Sequence, residues 1–219
     1  MALGSFGIKE VADVRFYEVG DVTFNPTTGK IEVLKKGGEG ADKDTLREPA
    51  LEFTTLKVSN LEFTAEQSEA RGGKGNAPLI IWDYGREVNI TLEDALLSTE
   101  CLRKMFGDKS ASGPITIGAN EFPGNYAVVG VTFARDQITG KDHLFTFYVP
   151  NAKVGSEITL TMEAEGDPTV FSMALRALRA SKTDDTMVAL IPYEDIYTAQ
   201  SNVSLIDAGM AGAPTSTDN

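Results

Sequence analysis

Apolar and polar residues alternate with a period of two along most of the chain, the pattern of strands that turn one face to a core and the other to solvent. The clearest stretch is 157–165, where Ile158, Leu160, Met162 and Ala164 fall on one side and Glu157, Thr159, Thr161, Glu163 and Glu165 on the other. Within 87–92, Val88, Ile90 and Leu92 repeat the pattern. Further strands are predicted at 14–17, 21–24, 30–34, 51–58, 61–66, 79–82, 127–134, 144–149, 170–178 and 187–191. Between Leu51 and Phe63 the apolar register slips at Leu56 and again at Leu61, which predicts a bulge or bend at each. Turn formers at 25–29, 136–140 and 166–168 predict antiparallel connections. One helix is predicted, opening at Thr91 with Asp94 at capping-box spacing and running through Ala95, Leu96, Leu102, Met105 and Phe106 to Gly107. It is either continuous or broken near Ser98 and Thr99 into two short turns. One helix against many antiparallel strands predicts a mainly β fold, an antiparallel sandwich or barrel-like domain.

Composition narrows the function classes. The chain has 219 residues, enough for a sizeable core, and 42% of them are hydrophobic, which excludes wholesale disorder. Its 20 basic and 32 acidic residues give a formal charge of −12, which disfavours a nucleic-acid binder held by phosphate contacts. From Thr183 onward there are six acids and no base. With one cysteine, Cys101, and one histidine, His143, neither an internal disulfide nor a Cys/His zinc site can be assembled. The first ten residues lack the basic start and apolar run of a signal peptide, and no apolar run is long enough to cross a bilayer. The expectation is a protein made and kept soluble in a reducing cytoplasm.

The residues offer little catalytic chemistry. His143 follows Asp142 at the start of a predicted strand, with no nucleophile elbow to serve, and reads as a surface or interface histidine. Cys101, inside the predicted helix, reads as a small buried hydrophobe. The run Gly72-Gly73-Lys74-Gly75-Asn76 has neither the Ser or Thr nor the upstream glycine spacing of a phosphate loop, and it leads into a strand, so it reads as a turn or an adaptable linker. Glu163 and Glu165 share a strand face at a separation that suits a glycosidase pair, but alternation alone produces such pairs. The expectation is no enzyme, no cofactor and no metal. The segment 35–48, glycine-rich and charged at its start, reads as a projecting loop, and the stretch from Gln200 onward as poorly ordered.

Particular residues carry a more specific signal. The stretch from Glu69 to Leu97, a glycine-rich run followed by Leu79-Ile80-Ile81-Trp82 and then Glu87 to Leu92, resembles the central segment of bacteriophage tail tube (major tail) proteins. The run from Gly166 to Leu178 and the later Met187 to Tyr193 resemble that family's closing strands, and Phe145-Thr146-Phe147-Tyr148-Val149-Pro150 resembles its proline-ended strand. The likeness spans residues 50–193. The loop at 35–48 and the acidic tail lie outside it.

That resemblance implies a tail tube fold: an N-terminal arm and first strand over 1–20, a β-sandwich domain over 21–198, and a flexible acidic tail over 199–219. It implies a structural virion protein whose subunits close into six-membered rings that stack into a hollow tube, a conduit for DNA into the host. The implied location is the virion tail, with assembly in the host cytoplasm. The implied partners are further copies of the chain, with tape measure, tail terminator and baseplate or tail-tip proteins, and a sheath protein if the tail contracts. DNA would pass without specific binding, and no membrane is involved. A bore lined with carboxylates repels a duplex over about 8 Å at physiological salt, which makes Glu87, Glu157, Glu163 and Glu165 the candidates to face it, the alternative being that they face the outside or a neighbouring subunit. Lys35, Lys36, Gly37, Gly38, Arg71, Gly72, Gly73 and Lys74 are the candidates for contacts between subunits or rings. The alternatives are another virion shell component, such as a capsid decoration or tail terminator protein, and a carbohydrate-binding or adhesion module.

Overall fold

A computed structural model of the chain describes residues 5–8, 13–27, 29–34, 47–94, 98–108, 110, 112–160 and 171–192. Among them lie eleven strands and one helix. In chain order the strands are β1 (Phe6–Ile8), β2 (Asp13–Glu18), β3 (Val22–Asn25), β4 (Lys30–Val33), β5 (Leu51–Phe53), β6 (Leu56–Gly72) and β7 (Ala77–Asp94). After the helix α1 (Thr99–Phe106) come β8 (Asn125–Asp136), β9 (Asp142–Leu160), β10 (Phe171–Ala177) and β11 (Ala189–Pro192). Every strand pairing is antiparallel.

The β8–β9 hairpin, turned at 137–140, is the centre of a nine-stranded sheet. Each of its edges takes two short strands in succession. On β8, β2 pairs with Tyr126–Val131 and β1 with Ala134–Asp136. On β9, β11 pairs with Phe145–Tyr148 and β10 with the stretch from Ala152 to Leu160. The long path of the sheet runs β5-β2-β8-β9-β10-β7-β6. Its two end strands, β5 and β6, are consecutive in the chain and separated only by Thr54 and Thr55. The sheet is therefore rolled, and its inward side holds one core: Phe16, Leu51 and Phe53 share it with Ile90, Leu92, Met173 and Leu175. Thr55 donates a hydrogen bond to Asp94 where the ends meet. Helix α1 contributes Cys101 and Met105 to this core.

A second core lies on the opposite face of β8 and β9, beneath the separate β3–β4 hairpin. Val22, Ile31 and Val33 pack there against Tyr17, Ala127, Val129, Val131, Leu144 and Tyr148. Because β8 is covered on both faces, its apolar run Ala127-Val128-Val129-Gly130-Val131 does not alternate.

The predicted helix start is corrected. Thr91 and Asp94 belong to β7, where Leu92 and Asp94 are buried. The helix opens instead at Ser98, whose hydroxyl accepts from the backbone N–H of Cys101 at 3.0 Å, and ends at Gly107 in the left-handed conformation. Of the two register slips, the one at Leu56 is a true irregularity between Leu56 and Val58. At Leu61 the ladder is regular: Val58, opposite Glu93, simply faces outward, while Leu61, opposite Ile90, packs on the core. The predicted strands at 79–82 and 87–92 are one strand, β7. The turn at 166–168, the far half of the 157–165 strand, the loop start at 35–46 and everything after Pro192 lie outside the described residues.

Candidate functional site

The feature that the body of the fold does not use is the outer half of the β6–β7 hairpin. These strands are 17 and 18 residues long, and only their inner ends join the rolled sheet. Beyond the Phe63–Val88 pair the two strands run on alone to a turn at Gly73–Asn76. From Thr64 to Gly72 is nine residues, which at about 3.4 Å each gives an arm of roughly 30 Å. The positive φ values of Gly73, Gly75 and Asn76 make the tip. The glycine run is thus a hairpin turn, and it opens no helix. Arg71, Gly72, Gly73 and Lys74 stand together at or beside this tip, with Arg71 ion-paired to Glu69 at 2.7 Å. Lys35, Lys36, Gly37 and Gly38 lie outside the described residues.

The arm carries Leu79, Ile80, Ile81, Trp82 and Tyr84, all half-exposed or more. A two-stranded hairpin with solvent on both faces is only marginally stable, and an apolar surface of this kind on a soluble chain marks a contact. The arm's far edge, the outer side of β6, is unpaired among the described residues, as are the outer sides of β1, β5 and β11. Open edges of this kind are templates for another strand.

The outward face of the sheet at β6, β7, β10 and β9 is different in kind. Register places Glu62, Asn89, Arg176 and Lys153 in one row, with Thr64 and Glu87 beside it. Thr91 and Ala174 are opposite each other further along, followed by Glu93 and Ser172. The face is polar and built of small or charged groups. Glu87 sits on this face, where Arg176 donates to its carboxylate, so the pair is locally neutral. Glu157 belongs to β9, two strands from β7, while Glu163 and Glu165 are outside the described residues.

Nothing among the described residues converges as catalytic groups do. His143 lies opposite Ala134 in the β8–β9 ladder, and both of its ring nitrogens are buried without a hydrogen-bond partner there. Cys101 is buried, and desolvation pushes its thiol up to about 12. No group of three His, Cys, Asp or Glu residues is placed to hold a metal ion among the described residues. No helix of the described chain is long and apolar enough to cross a membrane.

A model of the YomU/Tube protein family matches residues 41–113 and 107–191, well over half of the chain. The chain belongs to the YomU/Tube protein family. The matched segments run from β5 to β11 and take in the whole arm of this tube-family protein. Its role is that of a structural, phage-tail-tube-like component. Three solved structures are similar at low identity. One is the sheath–tube complex of an extracellular contractile injection system, PVC, in the extended state: 11% identity over 84% of this chain and 89% of that one, TM-score 0.43. Another is the six-fold symmetrised baseplate of the anti-feeding prophage, AFP: 12% identity over 89% of this chain and 100% of that one, TM-score 0.47. The third is an Hcp protein, 10% identical over 84% of this chain and 100% of that one, TM-score 0.32. No curated protein matches the sequence.

The arm was only partly legible in the sequence. Residues 61–66 and 79–82 read as strands and 72–76 as a turn, but nothing in the alternation says that the hairpin outruns its sheet. The available signal was Leu79-Ile80-Ile81-Trp82, an apolar run whose Ile80, Ile81 and Trp82 lie opposite Ala70, Glu69 and Ser68 across the ladder.

Proposed function

We propose that this protein is the repeating subunit of a tail tube: copies close into six-membered rings, and the rings stack into a hollow conduit for DNA. The observation that carries this is the β6–β7 arm, which runs about 30 Å past its sheet and whose large apolar side chains are half-exposed or more. A compact chain of 219 residues has a radius of gyration of about 17 Å, a sphere roughly 44 Å across, so an arm of about 30 Å spans about two-thirds of a neighbour of equal size.

A contact in which the arm of one copy lies on a different surface of the next is head-to-tail, and such contacts close into rings when the rotation between copies is right. Ring closure pairs edges that are otherwise exposed, and stacking supplies the second, open-ended contact. The tip residues Arg71, Gly72, Gly73 and Lys74 and the loop start Lys35, Lys36, Gly37 and Gly38 belong to these contacts. Where the four strands lie side by side, inside the root of the arm, the polar face of β6, β7, β10 and β9 turns to the bore. In its described part Glu62, Glu87 and Glu93 oppose only Lys153 and Arg176, so it offers a duplex few phosphate contacts. Glu157, Glu163 and Glu165 add to the acidity of that wall. The sandwich domain over 21–198 forms the ring, and the arm over 1–20 and acidic tail over 199–219 flank it. Terminator, tape measure and baseplate proteins meet the ends of the stack, and a sheath surrounds it where the tail contracts.

Sedimentation velocity over a concentration series tests this. Hexamers followed by an open series of larger species are expected. A single closed ring that never grows would favour a tail terminator or decoration protein, and a monomer throughout would refute the reading.

A further inference from the structure

Strand β7 carries a one-residue insertion at the root of the arm. In the β6–β7 ladder Thr64 lies opposite Glu87 and Glu66 opposite Tyr84, so two steps on β6 match three on β7. The extra residue falls at Gly85–Arg86, and Gly85 has φ +61, the left-handed glycine of a bulge of this type. Strict alternation would place Ile80, Trp82 and Tyr84 on the same side as Val88, Ile90 and Leu92, as a continuation of the core stripe. The insertion reverses this. Residues directly opposite in a ladder share a face, so Tyr84, Trp82 and Ile80 stand with Glu66, Ser68 and Ala70, on the side of Thr64 and Glu87. That is the outward side of the sheet. The arm's other side carries Ile81 and Asp83 with Glu69 and Gln67, and the Gln67 amide donates to the Asp83 carboxylate at 2.8 Å.

We infer that the arm docks on a second copy of this chain through one face only, the Ile80–Trp82–Tyr84 face, and that the Gly85–Arg86 bulge is what aims that face away from its own core. This rests on the self-assembly reading above and adds which side of the arm is buried. The three side chains are 53%, 50% and 53% exposed. At 150–250 Å² for an aromatic side chain they present on the order of 300 Å² of uncovered surface. A standard interface takes about 800 Å² from each partner, so this face supplies a large share of one side and is too small to stand alone without the rest of the arm. Large aromatic anchors at such a centre dominate interface energetics. The opposite face carries a large apolar side chain, Ile81, among polar groups that pair internally, Gln67 with Asp83 and Glu69 with Arg71.

The experiment uses the full chain. Trp82 is its sole tryptophan, so its emission and acrylamide quenching are read in the unmodified protein as dilute subunits are concentrated into assemblies. Assembly is expected to shift the emission to shorter wavelength and to cut quenching by about twofold or more, as burial at an interface core excludes solvent. The triple variant Ile80→Ser, Trp82→Ser, Tyr84→Ser is expected to keep its circular dichroism and to need at least about a hundredfold higher concentration to assemble. Ile81→Ser is expected to assemble within about threefold of the parent, a rim-like change. If the parent assembles while Trp82 stays fully quenchable, or if Ile81→Ser is as damaging as the triple variant, the one-face inference is overturned and self-assembly stands. If the parent never assembles, the self-assembly reading itself fails.

Discussion

The guanidinium of Arg103, in the last turn of α1, reaches the carboxylate of Asp108 at 3.1 Å, and both side chains are almost wholly buried. Around this pair the chain after the helix is folded into a fixed shape. Arg103 also donates to the hydroxyl of Ser110 and the carbonyl of Gly113. Asp108 accepts from the backbone N–H of Ser110 at 2.8 Å and of Thr116 at 3.3 Å. A segment with few apolar anchors is thereby held by one cation and one anion. Arg103→Ala is expected to lower the thermal midpoint more than Arg135→Ala, which removes the exposed Arg135–Asp142 pair. Scanning calorimetry on the two variants makes the comparison.

The same pair sets an acid limb. The Ser110 hydroxyl and backbone N–H, then the Thr116 N–H and Arg103, hold the Asp108 carboxyl below its ordinary value against a smaller desolvation. A carboxyl lowered by folding contributes stability that is present above its unfolded value, about 3.9, and is lost as pH falls through the folded value. Asp108→Asn is expected to be less stable at neutral pH and to show a shallower loss on acidification. Urea midpoints between pH 7 and pH 2 read both effects.

Two buried groups set an alkaline limb. Desolvation raises the Tyr148 phenol from 10.0 and the Cys101 thiol from 9.0, each to about 12. A group raised by folding contributes stability that is complete below its unfolded value and is lost as pH climbs through the folded one. Stability is therefore expected to decline from about pH 9 upward, with Cys101→Ala delaying the onset. The Tyr148 phenol also donates to the carbonyl of Val22 at 3.0 Å and ties the β3–β4 hairpin to β9. Tyr148→Phe should cost about 1 kcal/mol, read by equilibrium unfolding at pH 7. In the folded protein at pH 8, Cys101 should resist thiol reagents that label it at once in denaturant.

Gly130 faces Phe147 across the β8–β9 ladder, and a Cβ added there would lie 2.0 Å from a ring carbon, an outright overlap. Gly130→Ala is expected to be among the most destabilising single changes, at about 3 kcal/mol or more for an overpacked core site. Adding Phe147→Leu should restore part of that loss. Soluble yield and urea midpoints of the single and double variants check it.

Much of this fold was legible because its strands obey a simple rule. Val88, Ile90 and Leu92 alternate and are buried, and β8 to β9 turns at the Asp136–Gly140 signal. What the sequence concealed was non-local. Thr91 and Asp94 have capping-box spacing, but a β10 partner pairs with them first, and tertiary pairing overrides a local helix signal. Ser98 is a good cap by type, yet only the end of β7 shows that it is the one used. The Gly85 bulge was partly hidden: Gly85-Arg86 interrupts the alternation between the strands read at 79–82 and 87–92, but only the Glu66–Tyr84 and Thr64–Glu87 pairings show one strand with an inserted residue. Edge and arm residues follow the same local pattern as core strands, so the places where copies meet are the least visible in the sequence.

Negative-stain imaging of the purified full chain at high concentration is the most direct test of assembly. Class averages are expected to show six-fold rings with an open centre, seen on end, and stacks of the same width seen from the side. A field of separate compact particles of single-subunit size at every concentration would contradict it.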